Sequence, residues 1–259
     1  MPASQFTIPW LDPHQPFPPP AQALDDNTPF PGLLAAGGVL DADTLEQAYA
    51  HGIFPWYSDD QPILWWSTDP RMVLRPGSFR LHKSLRKTLQ RFIQTPGCEI
   101  RIDSCFDEVM LACAGPRSDQ GGTWITDDIR AAYGELHARG LAHSVETWID
   151  SRLVGGLYGV ALGRAVYGES MFTRVPDASK IALAALVGLC LRHGVEMIDC
   201  QQETPHLASL GASPIPRADF IRSIRRQQQL PAMHWQSERH DWQLLGLNID
   251  EYHVDTSDM

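Results

Sequence analysis

The spacing of apolar and polar positions changes along the chain and predicts its elements. Ala142–Ile149, Leu153–Val160 and Ala165–Phe172 are short runs rich in apolar residues, separated by Asp150-Ser151-Arg152 and by Leu162-Gly163-Arg164. Connections this short predict three strands in an antiparallel meander. Before them the period is helical. Ile129, Ala132, Tyr133 and Leu136 make an apolar stripe on a helix from Asp127 to Arg139. Thr126 can cap it, Asp127 and Asp128 suit its positive end, and Gly140 ends it. Phe106, Val109, Met110 and Cys113 predict a helix over 105–113, and 43–51 reads as a short helix ending at Gly52. After the meander come an apolar helix over 179–193 stopped by Gly194, a strand over 195–201, and an amphipathic helix over 217–229.

The flanks read differently. Pro18-Pro19-Pro20 and Pro29-Phe30-Pro31 make residues 1–31 irregular. Gly32 to Gly38 reads as a turn-rich apolar segment. Residues after about 235 are polar and acidic and read as a loose tail. No internal repeat is evident. The order of elements predicts an α+β fold with a mainly antiparallel sheet backed by helices.

Composition narrows the function classes. The chain has 259 residues, 43% of them hydrophobic, enough for a sizeable core. Its formal charge of -10 argues against general binding of polyanions. Yet Arg71 to Arg101 holds eight Lys or Arg and one acid, Glu99. Such an island fits a local phosphate contact. Five cysteines without a C-x-x-C predict free thiols in a reducing compartment, and no zinc spacing is present. No secretory signal or run of about 18 apolar residues appears, so a cytoplasmic protein without a membrane span is expected. No P-loop, dinucleotide fingerprint or G-x-S-x-G elbow is present.

Several residues stand out chemically. Glu169 is a charged residue between Gly168 and Ser170 in an apolar strand, costly to bury without a partner. Strand alternation turning it to solvent is an equal alternative. Asp199 and Gln201 lie two apart in a strand, which predicts one shared face able to orient an amine. The competing reading is a strand end that caps a helix near Thr204. Trp56, Trp65, Trp66 and Trp124 lie in Pro- or Gly-flanked segments; core packing is the default for each, and base stacking is the alternative. Over 83–92, Lys83, Lys87 and Arg91 follow i, i+4 spacing, joined by Arg86. A solvated basic face is the ordinary outcome, and phosphate contact is the sharper expectation.

Taken in order, several segments resemble one family. They are Gly32-Leu33-Leu34-Ala35, Gly52-Ile53-Phe54-Pro55-Trp56-Tyr57, Ile63-Leu64-Trp65-Trp66-Ser67 and Gly122-Thr123-Trp124-Ile125-Thr126. Next come Ala142-His143-Ser144-Val145-Glu146, Leu153-Val154-Gly155-Gly156-Leu157-Tyr158-Gly159 and Gly168-Glu169-Ser170-Met171-Phe172. Ile198-Asp199-Cys200-Gln201 and His206 to Ala212 close the run. Over about 17–230 the chain resembles the leucyl/phenylalanyl-tRNA–protein transferases of bacteria. Thr68 stands where that family usually has Pro, and Thr173 where it usually has Ser.

The resemblance implies a small N-terminal α/β domain over 1–69 and an acetyltransferase-like (GNAT-like) catalytic domain over 70–259. It implies transfer of Leu, Phe or, less readily, Met from aminoacyl-tRNA to the α-amine of proteins beginning with Arg or Lys, marking them for N-degron degradation. The ester donor is already activated, so no cofactor or metal is expected; a monomer is expected. In family terms Asp199 and Gln201 contact the attacking amine, and Glu169 lies at the acceptor site. Trp56, Trp124 and Tyr133 lie near the terminal adenosine. Leu157 and Met171 lie at the donor side-chain pocket, and Lys83, Arg86, Lys87 and Arg91 meet acceptor-stem phosphates. An ordinary Asp ionises at about 3.9, so Asp199 as base or as orienting group stays open. A coenzyme-A-dependent acetyltransferase would need an R/Q-x-x-G-x-G/A loop, which is not found. A noncatalytic reader of basic N-termini or tRNA would leave Asp199 and Gln201 unused.

Overall fold

The computed structural model describes residues 7–58, 60–115 and 125–249. The elements in chain order are β1 (Trp10–Leu11), β2 (Leu33–Gly37), α1 (Ala42–Ala50), β3 (Phe54–Pro55), β4 (Leu64–Trp66) and β5 (Arg71–Leu74). Then come α2 (Lys83–Gln94), β6 (Cys98–Ile102), α3 (Phe106–Cys113), α4 (Asp127–Ala138), β7 (Ala142–Ile149), β8 (Arg152–Leu162) and β9 (Ala165–Thr173). The last are α5 (Ala178–His193), β10 (Ile198–Gln201), α6 (Pro205–Ser209), β11 (Ser213–Ile215), α7 (Arg217–Gln227) and α8 (Arg239–Leu244).

Two sheets form. The first runs β1-β2-β4-β3 and the second β11-β5-β10-β9-β8-β7-β6. In the larger sheet only β9 and β10 pair in parallel, so the α+β class with a mainly antiparallel sheet holds. The meander is β7-β8-β9, as its short connections require. Thr126 caps α4 by accepting from Ile129 N at 3.2 Å. Helix α5 is apolar almost all round because it is buried almost all round.

Two segments differ from their sequence reading. Gly32 to Gly38 is not a turn but holds β2, a central strand whose five residues are all buried. A short continuous apolar run is what a strand covered on both faces looks like. The segment after 235 is not loose as far as it is described. Helix α8 lies against α5, where the Arg192 guanidinium holds Asp241 and Glu238, each at 2.6 Å. Trp242 is buried and meets Phe92 of α2 edge-on. The acidic residues beyond Ile249 lie outside the described residues.

One apolar cluster crosses from the first sheet to the second. It joins Leu45, Tyr49 and Trp65 to Tyr133, Tyr158 and Tyr167. This brings a tyrosine of α1 to the middle of the larger sheet. Among the described residues no helix is long and apolar enough to cross a membrane.

Candidate active site

The site opens where the sheet comes apart. β9 and β10 pair only at Val166 with Ile198 and at Tyr167 with Asp199. Just beyond, both strands bulge: β9 around Glu169, opposite Tyr158 and Gly159, and β10 between Asp199 and Gln201. A Cβ on Gly159 would collide with the Tyr167 carbonyl, so the bulge in β9 needs glycine there. The gap holds a cavity of about 370 Å³, large enough for an amino-acid side chain and its ester. Leu157, Met171, Leu183, Leu186 and Ile198 form its apolar wall, and Glu169 with Gln201 its polar end.

Glu169 is half-buried: it lines the cavity and is not turned to the outer surface. Its Oε2 accepts from Tyr133 Oη at 3.3 Å and its Oε1 from Gln201 Nε2 at 2.7 Å. Tyr133 Oη is in turn hydrogen bonded to Tyr49 Oη, and both tyrosines are fully buried. Burial pushes the Glu169 carboxyl up to about 7, aided by the nearby Asp199 charge and opposed by the donors on it. The same burial, with the Glu169 charge close by, raises both phenols well above the usual tyrosine value. Glu169 is therefore a carboxyl poised to exchange a proton near neutral pH.

Asp199 is placed otherwise than expected. The bulge breaks the alternation, so Asp199 pairs with Val73 and Gln201 with the adjacent Met72. The regular alternation behind the shared-face expectation is broken by the bulge, yet Asp199 and Gln201 both line the cavity. Asp199 is 1% exposed and held by the fully buried Arg71, with Nε to Oδ1 at 2.8 Å and Nη2 to Oδ2 at 2.6 Å. Its Oδ1 also accepts from Gln201 N at 2.9 Å. Both oxygens thus have partners, and Asp199, though almost wholly buried, still lines the cavity beside Gln201. The capping alternative fails too, since Thr204 itself caps α6 at Leu207 N. Cys200 lines the cavity, but burial and the Asp199 charge push its thiol up to about 12, too high for a ready nucleophile.

The remaining expected residues fall into three groups. Trp56 is 43% exposed at the cavity and packs edge-to-face with Trp66, which leaves part of the residue accessible there. Leu157 and Met171 lie in the apolar wall. Tyr133 has no exposed surface, so it cannot stack on an adenine and instead serves Glu169. Trp124 lies outside the described residues. On α2, Lys83, Lys87 and Arg91 are exposed along an open groove, while Leu85, Leu89 and Phe92 are buried. Arg86 is partly engaged, donating to the Gly246 carbonyl at 2.8 Å. Tyr49 and Arg71 were missed: the first looks like an ordinary core residue of α1, and the second was counted with the basic island. Among the described residues no three His, Cys, Asp or Glu side chains group as a metal site.

An apolar pocket that ends in a carboxyl of near-neutral pKa suits an enzyme that transfers an acyl group to an amine. Known proteins narrow that class. The family model described as leucyl/phenylalanyl-tRNA protein transferase matches residues 73–225, and the model of that family's N-terminal domain matches residues 38–69. The leucyl/phenylalanyl-tRNA–protein transferase of Albidiferax ferrireducens is 62% identical over 92% of this chain and 94% of its own length. That of Leptothrix cholodnii is 58% identical over 92% and 95%, and that of Cupriavidus metallidurans 64% over 85% and 88%. Among solved structures, FemX (12% identity, TM-score 0.40) covers 67% of this chain and 66% of its own. A GCN5-related N-acetyltransferase from Kribbella flavida (13%, TM-score 0.33) covers 65% and 59%. The chain belongs to the leucyl/phenylalanyl-tRNA–protein transferases, which transfer Leu or Phe from aminoacyl-tRNA to the N-terminal Arg or Lys of proteins.

Proposed function

We propose that the cavity between β9 and β10 is where this transfer takes place, and that Glu169 is its proton acceptor. The observation that carries this reading is the Glu169 carboxyl, held by Tyr133 and Gln201 at the polar end of an apolar pocket. The donor side chain lies against Leu157 and Met171. Met171 is flexible and unbranched at Cβ, which suits Leu, Phe and Met alike. The terminal adenine stacks on Trp56, and Trp124 is a second aromatic for the same end of the tRNA. Lys83, Lys87 and Arg91 meet backbone phosphates, with Arg86 in a lesser role.

In the chemical step the neutral α-amine attacks the ester carbonyl. A C–N bond forms and the bond from the carbonyl carbon to the ribose oxygen breaks. Glu169 takes the proton lost by nitrogen, and the ribose oxygen is protonated as it leaves, by Glu169 or by water. The nucleotide ester supplies the driving force, and the enzyme contributes juxtaposition and proton transfer. Ionised Glu169 also favours the cationic side chain of an N-terminal Arg or Lys. Gln201 orients the amine, and Asp199 acts through Gln201. Residues 1–69 and 70–259 are the two domains, a division that agrees with the break between the two sheets. Products carry a new N-terminal Leu, Phe or Met and enter N-degron degradation in the cytoplasm.

The test is transfer itself. With Leu-charged tRNA and a peptide beginning with Arg, mass spectrometry should find a peptide one Leu heavier. Absence of that product between about pH 6 and 9, at saturating tRNA, would overturn the reading. Met171→Ala should enlarge the pocket and shift preference from Leu toward Phe in a mixed-donor assay.

A further inference from the structure

Gln201 has an unusual backbone. Its φ is +59°, a left-handed conformation that costs a non-glycine residue on the order of 1 kcal/mol. It keeps that conformation inside a strand bulge, so something outside the residue must hold it. Two groups do, the Asp199 carboxylate and the Thr68 hydroxyl, and Thr68 and the Arg71 that grips Asp199 both come from one segment joining the two sheets. On one side Arg71 grips both oxygens of Asp199, and Asp199 Oδ1 accepts from Gln201 N at 2.9 Å. On the other side Thr68 Oγ1 donates to Gln201 O at 3.0 Å. The backbone amide and carbonyl of one residue are therefore fastened from opposite directions.

The holders are themselves fixed. The Arg71 guanidinium carbon lies 4.6 Å from the ring centres of both Phe54 and Phe220, and Nη1 donates to Gly52 O at 3.3 Å. A guanidinium stacked between two rings and bound to a buried carboxylate has little freedom. Gly32, at φ +88°, lets β2 approach Thr68: a Cβ there would lie 2.9 Å from Thr68 Cα. Ser67 N donates to Gly32 O at 2.7 Å. Thr68 is thus held by the smaller sheet while it holds a residue of the larger one.

We propose that Thr68 and Arg71 are positioning residues for the transfer reaction, clamping the Gln201 backbone so that its side-chain amide is aimed at Glu169. Neither touches substrate in this account. Thr68 acts on Gln201 directly, and Arg71 acts through Asp199. The clamp also joins the two sheets, making the geometry of the reacting end depend on the contact between them. The inference rests on the aminoacyl-transfer reading and adds the residues that set its geometry.

The test compares wild type, Thr68→Val, Thr68→Ser and Arg71→Lys in single-turnover transfer of Leu from charged tRNA to an Arg-initiated peptide. Thr68→Val is nearly isosteric and removes one hydrogen bond, so the rate should fall about fivefold, the size of one neutral hydrogen bond. Affinity for Leu-charged tRNA and the melting temperature should stay nearly constant, and Thr68→Ser should restore the rate. Arg71→Lys keeps the charge but not the two-pronged grip, so the rate should fall at least tenfold. If Arg71→Lys does not fold, the Thr68 pair decides alone.

A pH profile separates positioning from general weakening. Glu169 is faced by the Tyr49 and Tyr133 phenols, by the Asp199 carboxylate with its Arg71 partner, and by the Gln201 amide. The Gln201 amide favours the charged carboxylate, so misaiming it moves the acid limb of the rate profile to higher pH in Thr68→Val. A Thr68→Val enzyme with wild-type rate and pH profile would overturn the clamp. So would a rate loss that Thr68→Ser does not repair. Failure of wild type to transfer would instead overturn the underlying reading, so the two are told apart.

Discussion

Glu146 and Glu169 lie in the same sheet, one fully buried and one half-buried at the cavity, and their surroundings drive their carboxyls in opposite directions. Glu146 is fully buried, yet it accepts from Ser104 N and Oγ, Cys105 N, Ser144 Oγ and Trp148 Nε1. Burial raises its pKa, but these donors together outweigh burial and lower it. Glu169 has fewer donors and an anionic neighbour, so burial prevails. One carboxylate is structural and the other is the one proposed to do chemistry. Glu146→Gln should leave buried donors unsatisfied and cost about 2 kcal/mol or more of stability in urea unfolding. Because the folded pKa is lowered, the stabilisation is fully present above the unfolded value of about 4.3 and fades as pH falls through the folded one. The stability gap between wild type and Glu146→Gln should therefore close in acid. The sequence marked Glu169 through its flanking Gly168 and its charge in an apolar strand. It could not show the bulges, nor the Arg71 partner 128 residues before Asp199. Alternation of side chains is a rule for regular strands, and a bulge suspends it.

At the level of elements, legibility followed locality. The meander and α4 were readable because short connections, a Thr cap and a helical stripe are all local signals. β2 was not, because strands remote in sequence pair with its two edges and side chains from elsewhere in the chain cover its faces. Helix α2 was readable, but its division of labour was not. The sequence weighs Arg86 equally with its neighbours, whereas the Gly246 carbonyl and the Asn248 backbone dock beside it at Arg86 and Gln90. This gives a prediction at the scale of the helix. Reversing the charge of Lys83 and Lys87 together should weaken tRNA binding whatever the tRNA sequence, and should reduce the salt dependence of log K by about two. Arg86→Ala should do less. A salt slope unchanged by the double reversal, measured by titration over a range of KCl, would exclude α2 as the phosphate contact.

At the scale of the molecule, the reacting end is assembled from parts far apart in the chain. Tyr49 comes from α1, Tyr133 from α4, Glu169 from β9 and Gln201 from β10, with an unbroken apolar cluster between the two sheets. The C-terminal segment closes the other side, its Trp242 buried against α2 and α5. Trp242→Ala should lower stability by about 3 kcal/mol in denaturant unfolding, while the transfer rate of the folded fraction stays near wild type, since the residue does not line the cavity. In the proposed mechanism one carboxyl with a pKa near neutrality takes the proton of the attacking amine. This step is tested most directly by the pH dependence of kcat/KM for Leu transfer to an Arg-initiated peptide, in wild type and in Glu169→Gln. Protonated below about 7 and ionised above it, Glu169 should add an acid limb at about 7 to that of the peptide amine at about 7.7–8.0, so that the wild-type acid side is steeper than one ionisation allows. In Glu169→Gln the rate should fall at least a hundredfold and only the amine limb should remain. A Glu169→Gln enzyme of near wild-type rate, or one that keeps both limbs, would contradict the account.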